Sequence, residues 1–260
     1  MSARCKVIRL EDVWAGYDGE IVLEGINMSI EEQDFVGIIG PNGGGKTTLL
    51  RVMLGLIQHT RGRVRILGQS IARGRRFIGY VPQQVGFDRD FPVNVWDVAM
   101  MGRLGQRGLL RRYTSEDRRV VTRVLQQVDM LDLRNRPIGE LSTGQRQRVY
   151  IARALATEPK ILFLDEPTAS VDAHVTTSIY ELLQRLNEHI TILLVSHDMN
   201  VISSHVKTVG CLNRRLFYHA SREITPEMLE GVYHCPVDLI AHGVPHRVFA
   251  PHFEGEEAKS

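Results

Sequence analysis

The segment GPNGGGKTT, residues 40–48, sets glycines ahead of a lysine and two threonines, a spacing that fits G-x-x-x-x-G-K-[ST]. Glycines let backbone N–H groups converge on phosphate oxygens, so Gly40, Pro41, Asn42, Gly43, Gly44 and Gly45 form a candidate cradle, with Thr48 closing the motif. Lys46 supplies a point charge to the β and γ phosphates, and the Thr47 hydroxyl is a magnesium ligand. The complement is ILFLDEP, residues 161–167, in which four apolar residues end in two acids. Asp165 holds Mg2+ directly or through water, and Glu166 orients or deprotonates an attacking water. The chemistry is hydrolysis of a magnesium-bound nucleoside triphosphate. The competing explanations are a chance glycine-rich turn and acids that merely cap a helix. Both are weakened by context, because a strand-like run precedes each motif and a helical pattern follows the first.

A second phosphate-seeking segment is LSTGQRQRVYIARAL, residues 141–155. A small hydroxyl residue and a glycine precede a long helical run, and a helix N-terminus carries free N–H groups and the positive end of a dipole. One chain thus holds two candidate phosphate sites.

Several elements must position these residues. FVGIIG, ILFLDEP and ITILLVSH are unbroken apolar runs, as expected for parallel strands covered on both faces. Helical patterns lie between them: Leu49, Leu50, Met53, Leu54 and Ile57 after the first run, and Val175, Ile179, Leu182, Leu183 and Leu186 before the third. The alternation predicts an α/β domain with its ligands at the carboxyl ends of the strands. From about 94 to 157 the sequence shows helices and loops without a strand, with Val120, Val121, Val124, Leu125 and Val128 on one helical face. This reads as a helical subdomain inserted into a domain spanning 1–220. Residues 221–260 form an appendage in which Thr225 and Pro226 start a short helix and the acidic end is disordered.

Bulk properties narrow the class. Lys plus Arg total 32 against 30 for Asp plus Glu, so no overall field points to nucleic acid. The run TRGRVRILGQSIARGRR carries six arginines and no acid and reads as a solvated face. Three scattered cysteines without a CxxC pair argue against a disulfide framework or a thiolate zinc site and suit a reducing compartment. No apolar run reaches the roughly 18–20 residues that span a bilayer, and the N-terminus lacks the pattern of a signal peptide.

With these motifs in order, the chain resembles the nucleotide-binding subunit of an ATP-binding cassette (ABC) transporter over about residues 7–215. The resemblance implies an α/β P-loop NTPase (RecA-like) core with a parallel sheet, an N-terminal antiparallel β region and the inserted helical subdomain. It implies that Tyr17 in WAGYDGE stacks on adenine, with a buried core tyrosine as the alternative. It further implies that Gln83 in GYVPQ contacts Mg2+ and reports nucleotide state to a membrane partner, that Asp172 in ASVD belongs to a loop crossing between subunits, and that His197 in LLVSHD contacts the γ-phosphate. The second segment then has a role: Ser142, Gly144 and Gln145 bind the γ-phosphate of ATP held by another copy, in a head-to-tail homodimer. Thr143 departs from the family pattern, which has glycine there, and its β-branched side chain either stiffens the approach or points away.

Within the family, a lone cassette resembles importer subunits. GPNGGGKTT, FDRDFPVNVWDVAMMGR and CPVDLIAHGVPHR resemble ATPases of zinc and manganese importers. The expected partners are an integral membrane permease and, indirectly, an extracytoplasmic metal-binding protein, with the subunit on the cytoplasmic face of the inner membrane. Zinc is the favoured cargo, with manganese or iron next. By the same analogy residues 83–103 form much of the groove for a permease helix. Phe87, Phe91, Val93 and Trp96 supply its apolar members; the alternative is that they pack the sheet domain against the helical insert, which suits Phe91 and Trp96 better. The tail carries His234, Cys235, His242, His246 and His252, all able to ligate zinc. Gly243 and Pro245 nevertheless keep His242 and His246 off a common helical face. The rival from another class is a soluble ABC ATPase serving a scaffold, such as one in iron–sulfur assembly. A DNA-repair relative is disfavoured because Lys46 and Leu141 are only 95 positions apart, too close for a long coiled coil.

Overall fold

The computed structural model describes residues 5–83, 92–107, 112–168, 173–197, 205–219, 237–242 and 244–249. The chain begins with two long strands, β1 (Lys6–Tyr17) and β2 (Glu20–Glu31), followed by β3 (Phe35–Ile39), α1 (Lys46–Met53), β4 (His59–Ile66), α2 (Ile71–Gly74) and β5 (Ile78–Val81). Four helices come next: α3 (Val95–Met101), α4 (Leu104–Arg107), α5 (Ser115–Gln127) and α6 (Thr143–Leu155). The chain then returns through β6 (Ile161–Asp165), α7 (Ala173–Asn187), β7 (Thr191–Ser196), β8 (Thr208–Asn213) and β9 (Arg215–His219). β10 (Val237–His242) and β11 (Val244–Phe249) pair as an antiparallel hairpin.

The main sheet has the order β5-β6-β7-β3-β8-β9, with every neighbour parallel except the final antiparallel pair. The three apolar runs are three of its four inner strands, β6, β7 and β3. They are unbroken because both faces are covered: Leu162, Leu164, Ile192 and Leu194 join α3, α5, α6 and α7 in one core, and Phe163, Leu193, Val195 and Ile38 join α1 and the antiparallel strands in the other. Sequence-adjacent side chains alternate between the two cores, as strand geometry requires. The second, antiparallel sheet runs β2-β1-β4.

Between β5 and β6 the described elements are helical. α5 begins with a reciprocal cap, in which the Asp117 N–H donates to Thr114 Oγ1 and the Thr114 N–H donates to the Asp117 carboxylate, an arrangement that satisfies two otherwise orphaned donors. The face Val120, Val121, Val124 and Leu125 is buried, as is Val128 just past the helix end. Arg103 locks this region together: it donates to Asp117 at 3.0 Å, to the Ala156 carbonyl at 2.7 Å and to Glu158 at 2.9 Å. The predicted helix after the phosphate loop stops earlier than its apolar pattern, because Leu54 is the C-cap and Gly55 turns the chain at φ 69. The strand pair at residues 237–249 was not anticipated from the weak periodicity of the tail.

Candidate functional site

The phosphate-loop segment leaves the carboxyl end of β3 and enters α1, whose N-cap is Gly45 at φ 96. Gly43 is also left-handed, at φ 79, a region that only glycine enters without strain. Gly40 is required for a different reason: a Cβ there would lie 1.9 Å from the Leu212 carbonyl oxygen of β8. The loop is held from both sides, since the Gly44 N–H donates to the Pro41 carbonyl and the Arg214 N–H donates to the Gly44 carbonyl, each at 3.1 Å. Asn42 and Gly43 are exposed, and Thr48 is buried beneath the loop.

Lys46 is 6% exposed. Its Nζ donates to the carbonyls of Gly40 at 2.9 Å and Pro41 at 3.0 Å, and lies 3.7 Å from Glu166 Oε1. Burial lowers its pKa, with the Glu166 carboxylate opposing the shift. The ammonium is thus poorly solvated and poised to gain from an anion in the loop.

Asp165 and Glu166 end β6. Strict alternation would send consecutive side chains to opposite faces, yet both reach the start of α1. The kink that permits this is the left-handed backbone of Glu166, φ 47, whose N–H still donates to Val195 at 2.9 Å. Asp165 Oδ1 accepts from Thr47 Oγ1 at 3.0 Å and Oδ2 from the Tyr80 hydroxyl at 3.3 Å. Burial raises the Asp165 pKa, against the two hydrogen bonds, which favour the charged form. A buried carboxylate with a hydroxyl beside it is a hard oxygen pair suited to Mg2+. Burial next to Asp165 pushes the Tyr80 phenol up to about 12, so it remains a donor.

Glu166 is 9% exposed. Its Oε2 accepts from Gln83 Nε2 at 3.0 Å and lies 3.2 Å from His197 Nδ1. Gln83 follows β5 and His197 follows β7, so three strand ends deliver one cluster. Tyr17, at the end of β1, is 41% exposed, which excludes the buried core tyrosine. Its hydroxyl accepts from Arg51 of α1 at 3.4 Å, and that bond raises the Arg51 pKa.

Ser142 caps α6: its Oγ accepts from the Gln145 N–H at 3.2 Å and its own N–H donates to Gln145 Oε1 at 3.0 Å. Among the described residues no hydrogen bond or ion pair joins Ser142, Gly144 or Gln145 to Lys46, Thr47, Asp165 or Glu166. Thr143 is exposed and its hydroxyl accepts from Arg146 at 3.1 Å, so its side chain is turned along its own helix. Asp172, Phe87, Phe91, His234, Cys235 and His252 lie outside the described residues.

Two site residues escaped the motif reading, Tyr80 and Arg51. The available signal for Tyr80 was register: it pairs with Phe163 across β5 and β6, two residues before Asp165, so an aromatic hydroxyl just ahead of VPQ reaches the acid. Arg51 had only its position on α1, five residues past the lysine.

A preorganised cradle, a buried cation, a hydroxyl–carboxylate pair and a second carboxylate at one sheet edge can bind a magnesium nucleotide and accept a proton from water. The sequence matches the ABC transporter family over residues 23–169. The zinc uptake system ATP-binding protein of Listeria innocua is 39% identical over 221 residues, covering 83% of this chain and 86% of that protein. The manganese transport system ATP-binding protein of Halalkalibacterium halodurans is 39% identical over 230 residues, 87% of this chain and 92% of that protein. Among solved structures, a chain provisionally assigned to a metal-chelate type ABC transporter in an inward-facing conformation superposes with TM-score 0.83 at 27% identity, covering 95% of this chain and 98% of that one. Similarity of this extent, carried by a site that has the parts needed to bind and hydrolyse ATP, has one reading: the chain belongs to the ABC transporter family, as an ATP-binding subunit.

Proposed function

We propose that this subunit hydrolyses ATP to drive uptake of a divalent transition metal, zinc first and manganese or iron next, through a separate membrane permease. The observation that carries the ATPase reading is the convergence of Lys46, Thr47, Asp165, Glu166, Gln83 and His197 on the carboxyl ends of β3, β5, β6 and β7. The metal cargo is supported by the zinc uptake and manganese transport names of the two relatives.

In this reading the backbone of residues 40–48 and Lys46 hold the β and γ phosphates, and Tyr17 stacks on the adenine. Thr47, Asp165 and Gln83 hold Mg2+, which would offset the charge of the terminal phosphates. Gln83 spends its amide nitrogen on Glu166, leaving the carbonyl oxygen for the metal. Glu166 takes the proton from a water as the water oxygen bonds to the γ phosphorus and the bond to the β–γ bridging oxygen breaks. With Nδ1 of His197 beside Glu166, Nε2 is the ring nitrogen that would meet the γ-phosphate.

Ser142, Gly144 and Gln145 bind the γ-phosphate of a second copy, and Asp172 lies at the crossing between copies. The closed dimer is stable only while both terminal phosphates are present, so hydrolysis releases it. The permease helix docks on a cleft of about 720 Å³ lined by Trp96, Asp97, Met101, Leu104, Tyr113 and Arg134. Leu104 is 56% exposed there, while Val93 is buried and Trp96 both packs on the core and borders the cleft. No helix among the described residues is long and apolar enough to cross a membrane, which is compatible with a peripheral subunit on the cytoplasmic face. An extracytoplasmic protein delivers the metal to the permease.

The test is twofold. In a Glu166→Gln background with Cys5 and Cys235 replaced by serine, Ser142→Cys and Asn42→Cys should crosslink between copies only with Mg-ATP. Asn42 is chosen because Gly43 has a left-handed backbone. Cells carrying Glu166→Gln in place of the native gene should accumulate less zinc in zinc-poor medium, with manganese and iron measured alongside. Absence of the crosslink with trapped ATP, or unchanged content of all three metals, overturns the corresponding half of the proposal.

A further inference from the structure

Gly144 faces its own chain. A Cβ built on it would sit 2.2 Å from Val175 Cγ1 and 3.4 Å from Val175 Cβ, so a methyl of α7 occupies the space that any side chain at 144 would need. Ser142 and Thr143 are exposed while Gly144 is buried. The helix start therefore turns its polar cap outward and its glycine against α7. One turn further along α6, Arg148 donates to Ser178 Oγ of α7 at 2.6 Å, to Asp129 at 2.7 Å and to the Val128 carbonyl at 2.9 Å. Residues 144 and 148 are four apart on α6, and 175 and 178 are three apart on α7, so both contacts lie along one continuous helix–helix seam. Val175 also lies only three positions after Asp172 in the chain.

We propose that Val175 is a positioning residue for ATP-driven closure: its Cγ1 methyl fills the notch that Gly144 leaves, locking the start of α6 to α7 so that the Ser142 cap meets the partner copy on a rigid helix pair. The inference rests on the head-to-tail reading above. It gives glycine at 144 a cause inside one subunit, separate from the approach of the partner's phosphate. Because two packed helices move as a body, a fraction of an ångström at this seam displaces the whole helix start that must reach the other copy's nucleotide.

The test uses full-length Glu166→Gln protein, in which ATP-driven dimerisation is read by analytical ultracentrifugation across ATP concentrations. Adding Gly144→Ala should raise the ATP concentration for half-maximal dimer at least about tenfold, and adding Val175→Ala as well should bring it back to within about threefold of the parent. Binding of a fluorescent ATP analogue to the dilute monomer should stay constant throughout, which separates the effect from misfolding. Alanine is the better helix former, so a lower melting midpoint for Gly144→Ala that the second substitution restores isolates the clash. If glycine serves only the partner's phosphate, the added methyl obstructs whether or not Val175 is trimmed. A double variant as impaired as Gly144→Ala, in a parent that does dimerise, overturns the inference. A parent that stays monomeric with ATP instead overturns the head-to-tail reading itself.

Discussion

Glu166→Gln separates binding from chemistry. The carboxylate lies 3.7 Å from the Lys46 ammonium and within hydrogen-bond reach of Gln83 and His197. A glutamine keeps the shape and can still accept from Gln83 through its carbonyl oxygen, but its amide nitrogen then faces Lys46, donor against donor. Lys46 retains two carbonyl acceptors, so the cost without nucleotide should fall below the 3–5 kcal/mol typical of breaking a buried pair, at about 1–2 kcal/mol. For a chain of this size that corresponds to a fall in melting temperature of about 2–8 °C. Bound ATP relieves the mismatch, because Lys46 then has phosphate oxygens to meet, and ligand binding raises the midpoint again by mass action. Turnover behaves differently. A positioned general base contributes about 10²–10⁴-fold, or about 2.7–5.4 kcal/mol of barrier, and the amide supplies none of it. Phosphate release at saturating Mg-ATP should fall by that factor while nucleotide affinity holds and a stable ATP-bound dimer accumulates. Release within about fivefold of the native rate would show that another group takes the proton. Loss of ATP binding would show that the carboxylate supports the cradle and not the chemistry.

Three further outcomes are expected. Lys46→Ala should lose nucleotide affinity by at least about tenfold in equilibrium binding, because the ammonium serves the ground state as well as the transition state. Burial raises the Asp165 pKa, so without metal the native carboxylate costs stability at neutral pH, and that cost fades as pH falls through the raised native value. The midpoint of nucleotide-free Asp165→Asn, compared with the native protein, should therefore move in the variant's favour as pH rises from acid to neutral, on top of a constant offset from its amide nitrogen beside the Thr47 and Tyr80 hydroxyls, and the variant should lose the added stabilisation that Mg2+ gives with ATP; a difference independent of pH would refute the burial argument. Arg103→Met removes the guanidinium from the fully buried Asp117 and should cost about 3–5 kcal/mol in urea unfolding, with Asp117→Asn in the same chain recovering part of it.

What could be read in advance follows from distance along the chain. Gly40 to Thr48 and the Asp165–Glu166 pair are contiguous, and their geometry is local, so spacing was enough. Strands β3, β6 and β7 announced themselves because two-sided burial leaves no polar alternation. Tyr80 on Asp165, Arg51 on Tyr17 and Arg103 on Asp117 are tertiary pairs whose members are ordinary in isolation, and only packing joins them. The left-handed Glu166 was equally hidden, since nothing about a glutamate after a strand signals positive φ. Gly144 was noticed as part of a phosphate-seeking helix start, whereas its packing partner Val175 read only as one apolar position of a helix.

The braced phosphate loop has an energetic consequence for the whole cycle. The Gly40 backbone is pressed on Leu212, Gly44 is tied to Arg214, and Lys46 is tethered to two loop carbonyls, so the receptor surface is shaped before nucleotide arrives. Little ordering entropy is then spent on capture. In the proposed cycle, the free energy of the incoming triphosphate would then remain available to draw two subunits together, and through them to move a protein embedded in the bilayer.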